Sequence, residues 1–152
     1  RLQGDWSSDV CSSDLVGGST RTLTLELWAN GESLGLIRGD GVIVATRTGS
    51  SAYAYSAGGP ILLMEALVLV ASNGIASEIA TPVVLPRDSV IRIANRTSSV
   101  RPHVIADGQK DYPIDEGAEI EIFTSPVNAL LVDPGWVSPV GKLKLNEGGH
   151  VG

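Results

Sequence analysis

Cysteine, aromatic residues and charged residues are all scarce in this chain of 152 residues. The single cysteine, Cys11, cannot form an internal disulfide, so we expect a reducing, cytoplasmic location. One phenylalanine, 43% apolar residues and 18 glycines predict a core of valine, isoleucine and leucine with many turns. The length suits a single domain that buries about two-thirds of the surface its unfolded chain would expose.

Basic runs and long apolar runs are also missing. A net charge of −6 without a basic segment argues against general nucleic-acid binding. The longest apolar run, residues 61–71, contains Glu65 and is shorter than the about 20 residues that cross a membrane. The first residues contain no apolar stretch typical of a secretory signal. We therefore expect neither nucleic acid nor a membrane among the partners.

Few residues could supply nucleophilic or metal chemistry. The chain has two histidines, His103 within a predicted strand and His150 in a glycine-rich tail. Because the sequence supplies no partner for His103, we expect a structural role for it. No cluster of histidine and cysteine and no regular carboxylate spacing is present, so no metal site is predicted.

The two ends of the chain differ from its middle. Residues 1–14 contain Ser-Ser-Asp twice and have no apolar period, which indicates a foreign or truncated leader rather than native structure. Residues 15–145 are predicted to form one domain, and residues 146–152 a frayed tail.

Short apolar or alternating runs follow one another along the middle of the chain with no helical period between them. Leu23, Leu25 and Leu27 share one face of a strand, and Asn30-Gly31 is a type I′ pair that predicts a hairpin. We predict an all-β fold, a two-sheet β-sandwich of roughly nine or ten short strands with one short helix after Thr48. The predicted strands cover residues 22–28, 34–38, 42–46, 66–70, 83–85, 89–94, 100–106, 109–114, 119–123 and 143–145, with a loop at 72–80 and an apolar run at 127–132.

Residues 39–60 combine a Gly-Asp-Gly turn, a buried strand, a hydroxyl-rich loop and a short helix. Ser50 or Ser51 is predicted to cap a helix over residues 52–57, which two glycines end. The free N–H groups and the dipole at such a helix start could receive a phosphate or ribose oxygen. A capped surface helix without a ligand also explains the pattern, and residue chemistry alone favours it because helix caps far outnumber anion sites.

Three side chains of this segment also have more than one interpretation. Asp40 lies between two glycines, where a carboxylate can meet a ligand closely or simply form a turn. Tyr53 and Tyr55 lie two positions apart on the predicted helix and point in different directions, so at most one faces the loop. A tyrosine there could stack on a purine or nicotinamide ring, or cover the edge of the core.

The same segment resembles the NAD kinases. The letters DGVIVAT at residues 40–46 and SAGGPI at residues 56–61 match a stretch of their C-terminal domain almost completely, and residues 17–21, 107–109 and 125–131 resemble further landmarks. The resemblance implies a β-sandwich that binds NAD. It also implies an enzyme that transfers a phosphoryl group from ATP or polyphosphate to the adenosine ribose 2′-hydroxyl of NAD, which makes NADP.

The resemblance further implies a set of NAD contacts. The loop and helix residues would line the site with Tyr53 against the adenine, whereas Arg38 and Asp40 would meet the far end of the dinucleotide. Arg21 and Gln109 would contact NAD shared across the subunit interface of a homodimer or homotetramer. The whole implied set is Arg21, Arg38, Asp40, Thr48, Ser51, Ala52, Tyr53, Ala54, Tyr55, Ser56 and Gln109, and none of these is assigned a catalytic role.

The chain departs from the family pattern in several places. Arg47 stands where proline is usual, Ser51 stands where threonine is usual, and residues 71–81 lack the usual proline and histidine. The family's N-terminal α/β domain, with a Gly-Gly-Asp-Gly motif that organises ATP and magnesium, has no counterpart. Since phosphoryl transfer depends on groups placed around the γ-phosphate, we expect ATP and magnesium to be bound mainly by the missing domain and the isolated chain to be inactive.

Two alternative functions fit a β-sandwich with this segment. One is a lipid or sphingoid-base kinase of the same superfamily, against which the letters TGSSAY at residues 48–53 argue. The other is a stand-alone, non-enzymatic, nucleotide-binding β-sandwich.

Overall fold

Eleven β-strands account for most of residues 13–17, 21–79, 81–106 and 110–125, the parts of the chain that the computed structural model describes. They form two sheets with one short α-helix, which confirms the predicted all-β sandwich. The strands are β1 (Ser13–Gly17), β2 (Leu23–Ala29), β3 (Glu32–Gly39), β4 (Gly41–Thr46), β5 (Ala66–Ser72), β6 (Ala76–Ser77), β7 (Val83–Pro86), β8 (Ile91–Asn95), β9 (His103–Ala106), β10 (Lys110–Pro113) and β11 (Glu119–Ile122). Helix α1 covers Tyr53–Ser56 and follows a 3-10 helix at Gly49–Ser51.

The six-stranded sheet has the order β10-β9-β1-β4-β5-β7, and the five-stranded sheet has the order β11-β8-β2-β3-β6. All of their strand pairs are antiparallel. The main core lies where the two inner faces meet, and Leu23, Leu25 and Leu27 of β2 enter it in the alternation that the sequence predicts. Val42 and Val44 meet them from β4.

Strands β4 and β5 bury both of their faces. Their residues on the face away from the main core, among them Ile43, Ala45 and Val68, form a second apolar cluster that also contains Ala54 of helix α1 and Leu62. This double burial explains why both strands consist of apolar residues without alternation. The helix therefore lies on the outer face of the six-stranded sheet, across the middle of that sheet.

The predicted hairpin joins β2 to β3 in the five-stranded sheet. Asn30 and Gly31 have φ angles of 51° and 84°, as a type I′ turn requires. The register shifts between Leu27 and Trp28, which the sequence pattern does not indicate.

Some strand boundaries differ from the prediction. Strand β1 begins at Ser13, two residues before the predicted domain start, because residues 13 and 14 pair with β4 and residue 14 also pairs with β9. The predicted loop at 72–80 contains the two-residue strand β6, which pairs with β3. Val83–Pro86 lies at the edge of its sheet, as the flanking prolines indicate.

Several predictions fall on residues that lie outside the described parts of the chain. These are the leader before Ser13, the apolar run at 127–132, the strand predicted at 143–145 and the tail at 146–152. Among the described residues, no helix is long and apolar enough to cross a membrane.

Candidate functional site

Strand β4 separates the implied contact residues into two groups. Asp40 immediately precedes the strand, and Arg47 and Thr48 immediately follow it. At about 3.3 Å per residue, the six residues of β4 hold these two ends about 20 Å apart. Arg21 and Arg38 lie at the Asp40 end, because Leu23 at the start of β2 pairs with Gly39 at the end of β3.

At the first end, the chain passes from one sheet to the other through Asp40 alone. Strand β3, which ends at Gly39, belongs to the five-stranded sheet, and β4, which begins at Gly41, belongs to the six-stranded sheet. Both positions require glycine, because the backbone there lies close to carbonyl oxygens of other segments. A Cβ atom on Gly39 would lie 2.8 Å from the carbonyl oxygen of Ser72, and one on Gly41 would overlap the carbonyl oxygen of Val16.

Residues 72–75 form hydrogen bonds to Asp40 and to Arg38, which lies two residues before it. The Asp40 amide donates to the carbonyl of Ser72 at 2.9 Å, and the Ile75 amide donates to the carbonyl of Arg38 at 2.8 Å. The side-chain amide of Asn73 donates to Asp40 Oδ2 at 2.7 Å. The side chains of Arg38 and Asp40 remain exposed, so a ligand can reach both.

At the second end, the loop after β4 is held by the hydroxyl of Ser50. This side chain is 0% exposed. Its Oγ donates to the carbonyl of Arg47 at 2.7 Å and accepts from the amide of Leu62 at 2.9 Å. The hydroxyl thus connects the loop to the chain that follows the helix, and both of its hydrogen-bonding functions are used.

The prediction that Ser50 or Ser51 caps the helix is wrong. The residue at the cap position is Ala52, which has no side chain to bond the helix N–H groups. Ser50 is occupied as described, and the hydroxyl of Ser51 donates backwards to the carbonyl of Thr48 at 3.4 Å. The helix is only four residues long rather than two turns. A short helix adds few aligned peptide dipoles, which weakens the interpretation as a phosphate cradle.

Helix α1 presents one buried and several exposed side chains. Ala54 is 0% exposed and packs in the second cluster, so it anchors the helix to β4 and β5. Tyr53 is 48% exposed and Tyr55 is 47% exposed, and Ser56 is exposed as well. Ala52 and Thr48 are partly buried. Two half-exposed tyrosines beside a hydroxyl-rich loop can supply a ring for stacking and oxygen atoms for hydrogen bonds.

An ion-paired group lies at the ends of three neighbouring strands next to this loop. Glu65 precedes β5, and its carboxylate lies 3.1 Å from Nε of Arg47 and 3.8 Å from Nε of Arg87. Arg47 follows β4 and Arg87 follows β7, so the three residues connect adjacent strands. All three side chains are solvent-exposed, and the stabilisation they supply is correspondingly small.

The remaining candidates lie elsewhere. Arg21 is exposed two residues before β2, and Gln109 lies outside the described residues. His103, for which the sequence offered no partner, lies on β9 with its Nδ1 2.5 Å from Oδ1 of Asp111 on β10. Within the described ranges, no group of three or more His, Cys, Asp or Glu residues could hold a metal ion.

Two residues that sequence reasoning did not place in the site are close to it. Ser50 was considered only as a cap, and nothing local in the sequence indicates its bond to Leu62 twelve residues away. Asn73 was assigned to a loop. Its position before Gly74 is typical of a turn, but its contact with Asp40 depends on the pairing of β4 with β5.

Comparison with known proteins identifies similar sequences along most of the chain. The sequence model of the ATP-NAD kinase C-terminal domain matches residues 15–133. An NAD kinase of Thermoplasma volcanium is 36% identical over 134 residues, which cover 87% of this chain and 48% of that protein. An NAD kinase of Pseudomonas savastanoi pv. phaseolicola is 34% identical over 135 residues, which cover 87% of this chain and 45% of that protein. The chain thus spans about half the length of these curated relatives.

Two solved structures are similar in fold. An NAD kinase from Archaeoglobus fulgidus in complex with ATP superposes with a TM-score of 0.67 and 29% identity, over 79% of this chain and 47% of that one. A yeast NADH kinase complexed with NADH superposes with a TM-score of 0.66 and 31% identity, over 81% of this chain and 36% of that one.

Proposed function

Because this chain belongs to the family of ATP-NAD kinase C-terminal domains, we propose that it is the NAD-binding part of an NAD kinase. The whole enzyme phosphorylates the adenosine ribose 2′-hydroxyl of NAD with ATP or polyphosphate. The observation that carries the proposal is the family match over residues 15–133, which includes both ends of β4 and the loop between β4 and α1. The relatives give no support to a lipid kinase or to a non-enzymatic sandwich.

We assign the adenosine half of NAD to the loop and helix. The half-exposed ring of Tyr53 is available to stack on the adenine, and the nearby hydroxyl groups of Ser51 and Ser56 are available to the ribose. Thr48, Ala52 and Tyr55 border the same surface. Ala54 is fully buried, so its part is to hold the helix in place rather than to meet the ligand with its side chain.

The nicotinamide half of NAD is assigned to the other end of β4. Asp40 offers an exposed carboxylate there, and the exposed guanidinium groups of Arg38 and Arg21 lie at the same end. Gln109 completes the proposed set. We also propose that two copies of the chain share NAD, as a homodimer or homotetramer, because the family resemblance implies that Arg21 and Gln109 contact NAD across a subunit interface.

The donor and its metal belong to the part of the enzyme that this chain does not cover. The described residues do not fit a magnesium site, since no cluster of three acidic, histidine or cysteine side chains occurs among them. We therefore assign phosphoryl transfer to groups outside the described residues of this chain. It binds and orients NAD in the cytoplasm, and alone it is inactive.

The test is a pair of measurements on this chain. Calorimetry with NAD should show binding, while incubation with NAD, ATP and magnesium should yield no NADP. Tyr53→Ala should weaken NAD binding by about 1–3 kcal/mol, because a stacked base is lost. Tyr112→Ala, which removes a partly exposed tyrosine on β10, is the control and should leave the affinity unchanged.

Three outcomes would contradict the proposal in different ways. No NAD binding by the folded chain would remove the assigned function. Equal losses in the Tyr53 and Tyr112 variants would remove Tyr53 from the site. Formation of NADP by the isolated chain would show that it contains catalytic groups that we have not assigned.

A further inference from the structure

We propose that Asn73 is a positioning residue that orients the carboxylate of Asp40 for its ligand. This inference rests on the proposed function, in which Asp40 contacts the far end of NAD. Its direct basis is the hydrogen bond of 2.7 Å from the Asn73 side-chain amide to Asp40 Oδ2. Within the described parts of the chain, that is the one side-chain hydrogen bond found for Asp40, and Oδ1 is left for a ligand.

Backbone contacts hold Asp40 and Asn73 next to each other, which keeps the side-chain amide close to the carboxylate. Asp40 donates its own amide to Ser72, the residue before Asn73. Gly41 also pairs with Ser72 across β4 and β5. Gly39 packs so closely on the carbonyl groups of Ser72 and Asn73 that a Cβ atom would come within 3 Å of both oxygens.

The conformation of Asn73 provides a second observation. Its φ angle of 47° lies in the left-handed region, which asparagine tolerates better than most residues with a side chain. A glycine would satisfy the backbone equally, but it could not reach Asp40. The asparagine therefore combines the turn conformation with a donor directed at the carboxylate.

A neutral donor suits this role better than a cation. An amide N–H fixes the orientation of a carboxylate group while it leaves the negative charge uncompensated. The nicotinamide end of oxidised NAD carries a positive ring and an amide donor, and both are complementary to a carboxylate with a free oxygen. An arginine at position 73 would instead compete with that ligand for the charge.

The decisive experiment compares NAD with AMP, its adenosine half, by calorimetry on the wild-type chain and on Asn73→Gly. Glycine accepts the left-handed backbone of this position and removes the side chain with its amide donor. NAD affinity should fall about three- to tenfold, the effect of one net hydrogen bond, while AMP affinity stays the same. Asn73→Gly added to Asp40→Ala should cause no further loss, because the amide acts only through that carboxylate.

Asn30→Gly is the matched control. Asn30 also has a left-handed backbone, with φ of 51°, and its side chain bonds Ser89 and Val90 at the far end of β2 and β3. Its replacement should affect stability but neither ligand.

The outcomes separate this inference from the proposed function. If Asp40→Ala weakens NAD binding and Asn73→Gly does not, the positioning role is wrong and the site remains. If Asp40→Ala has no effect on NAD, both the positioning role and the assignment of Asp40 fail. An equal loss of NAD and AMP in Asn73→Gly, or an undiminished loss in the Asp40→Ala background, would show a general structural role and overturn the inference.

Discussion

At the scale of single residues, Ser50 supports the candidate site through its buried hydroxyl and not as a helix cap. The two bonds of that hydroxyl, to Arg47 and to Leu62, join the start of the loop to the chain beyond the helix. Ser51, Ala52 and Tyr53 lie between those two points. Their positions therefore depend on a side chain that no ligand needs to touch.

Ser50→Ala should lower the free energy of unfolding by about 1–3 kcal/mol, because the amide of Leu62 would be left buried without an acceptor. Ser51→Ala is the neighbouring control. Its hydroxyl makes only one long bond within the loop, so we expect a change within about 0.5 kcal/mol. Urea denaturation of both variants measures this. Equal stability of Ser50→Ala and the wild type would mean that water or another group replaces the hydroxyl.

At the scale of strands and turns, the connection between β3 and β4 is the tightest part of the site. Gly41→Ala should destabilise the fold by about 3 kcal/mol or more, because its Cβ would overlap the carbonyl of Val16 on β1. Gly58→Ala is the control, which shows how much stability the replacement of a glycine costs where no overlap occurs. It has a positive φ of 90° but nothing within 4 Å, so the cost should be about 1 kcal/mol. Thermal unfolding measures the stability of both variants. Similar losses of stability in Gly41→Ala and Gly58→Ala would contradict the predicted overlap.

Most strands could be predicted from the sequence, whereas the contacts that shape the site could not. The alternation of Leu23, Leu25 and Leu27 predicts one buried face, and the Asn30-Gly31 pair predicts its own turn, because both signals are local. The cap prediction failed because Ser50 bonds a residue twelve positions away. The contact of Asn73 with Asp40 spans 33 positions and exists only after β4 and β5 have paired.

The implied NAD contacts depend on the family resemblance and not on residue chemistry. A surface helix without a ligand explained the segment at 39–60 on residue chemistry alone, and the four-residue helix without a side-chain cap weakens the alternative of an anion site. The structure places Asp40 and Thr48 at opposite ends of one strand, which the apolar run at residues 42–46 already indicates.

At the scale of the whole molecule, β4 and β5 are the strands that contribute to both apolar clusters. They lie within the six-stranded sheet, face the main core on one side and carry helix α1 on the other. The loop and the helix expose far more of their surface than these strands do. Local opening of the loop should therefore require much less free energy than opening of the two strands.

Amide hydrogen exchange should be slowest in β4 and β5 and much faster in residues 49–56. Addition of NAD should slow exchange in residues 49–56 and around Asp40 and leave the interiors of β4 and β5 unchanged, because the proposed contacts lie at the two ends of β4. Mass spectrometry of peptides from the chain with and without NAD gives both patterns. Protection confined to other peptides, such as those of β10 and β11, would place the ligand elsewhere.

The connection through Asp40 also limits which insertions and deletions the gene can accept. A single residue joins the two sheets there, and the glycines on either side press against backbone atoms of other strands. A codon gained or lost at this point must shift one sheet against the other. A Cβ atom on Gly117, in the turn before β11, would meet no other atom within 4 Å, so close packing does not restrict that turn as it restricts the passage at Asp40.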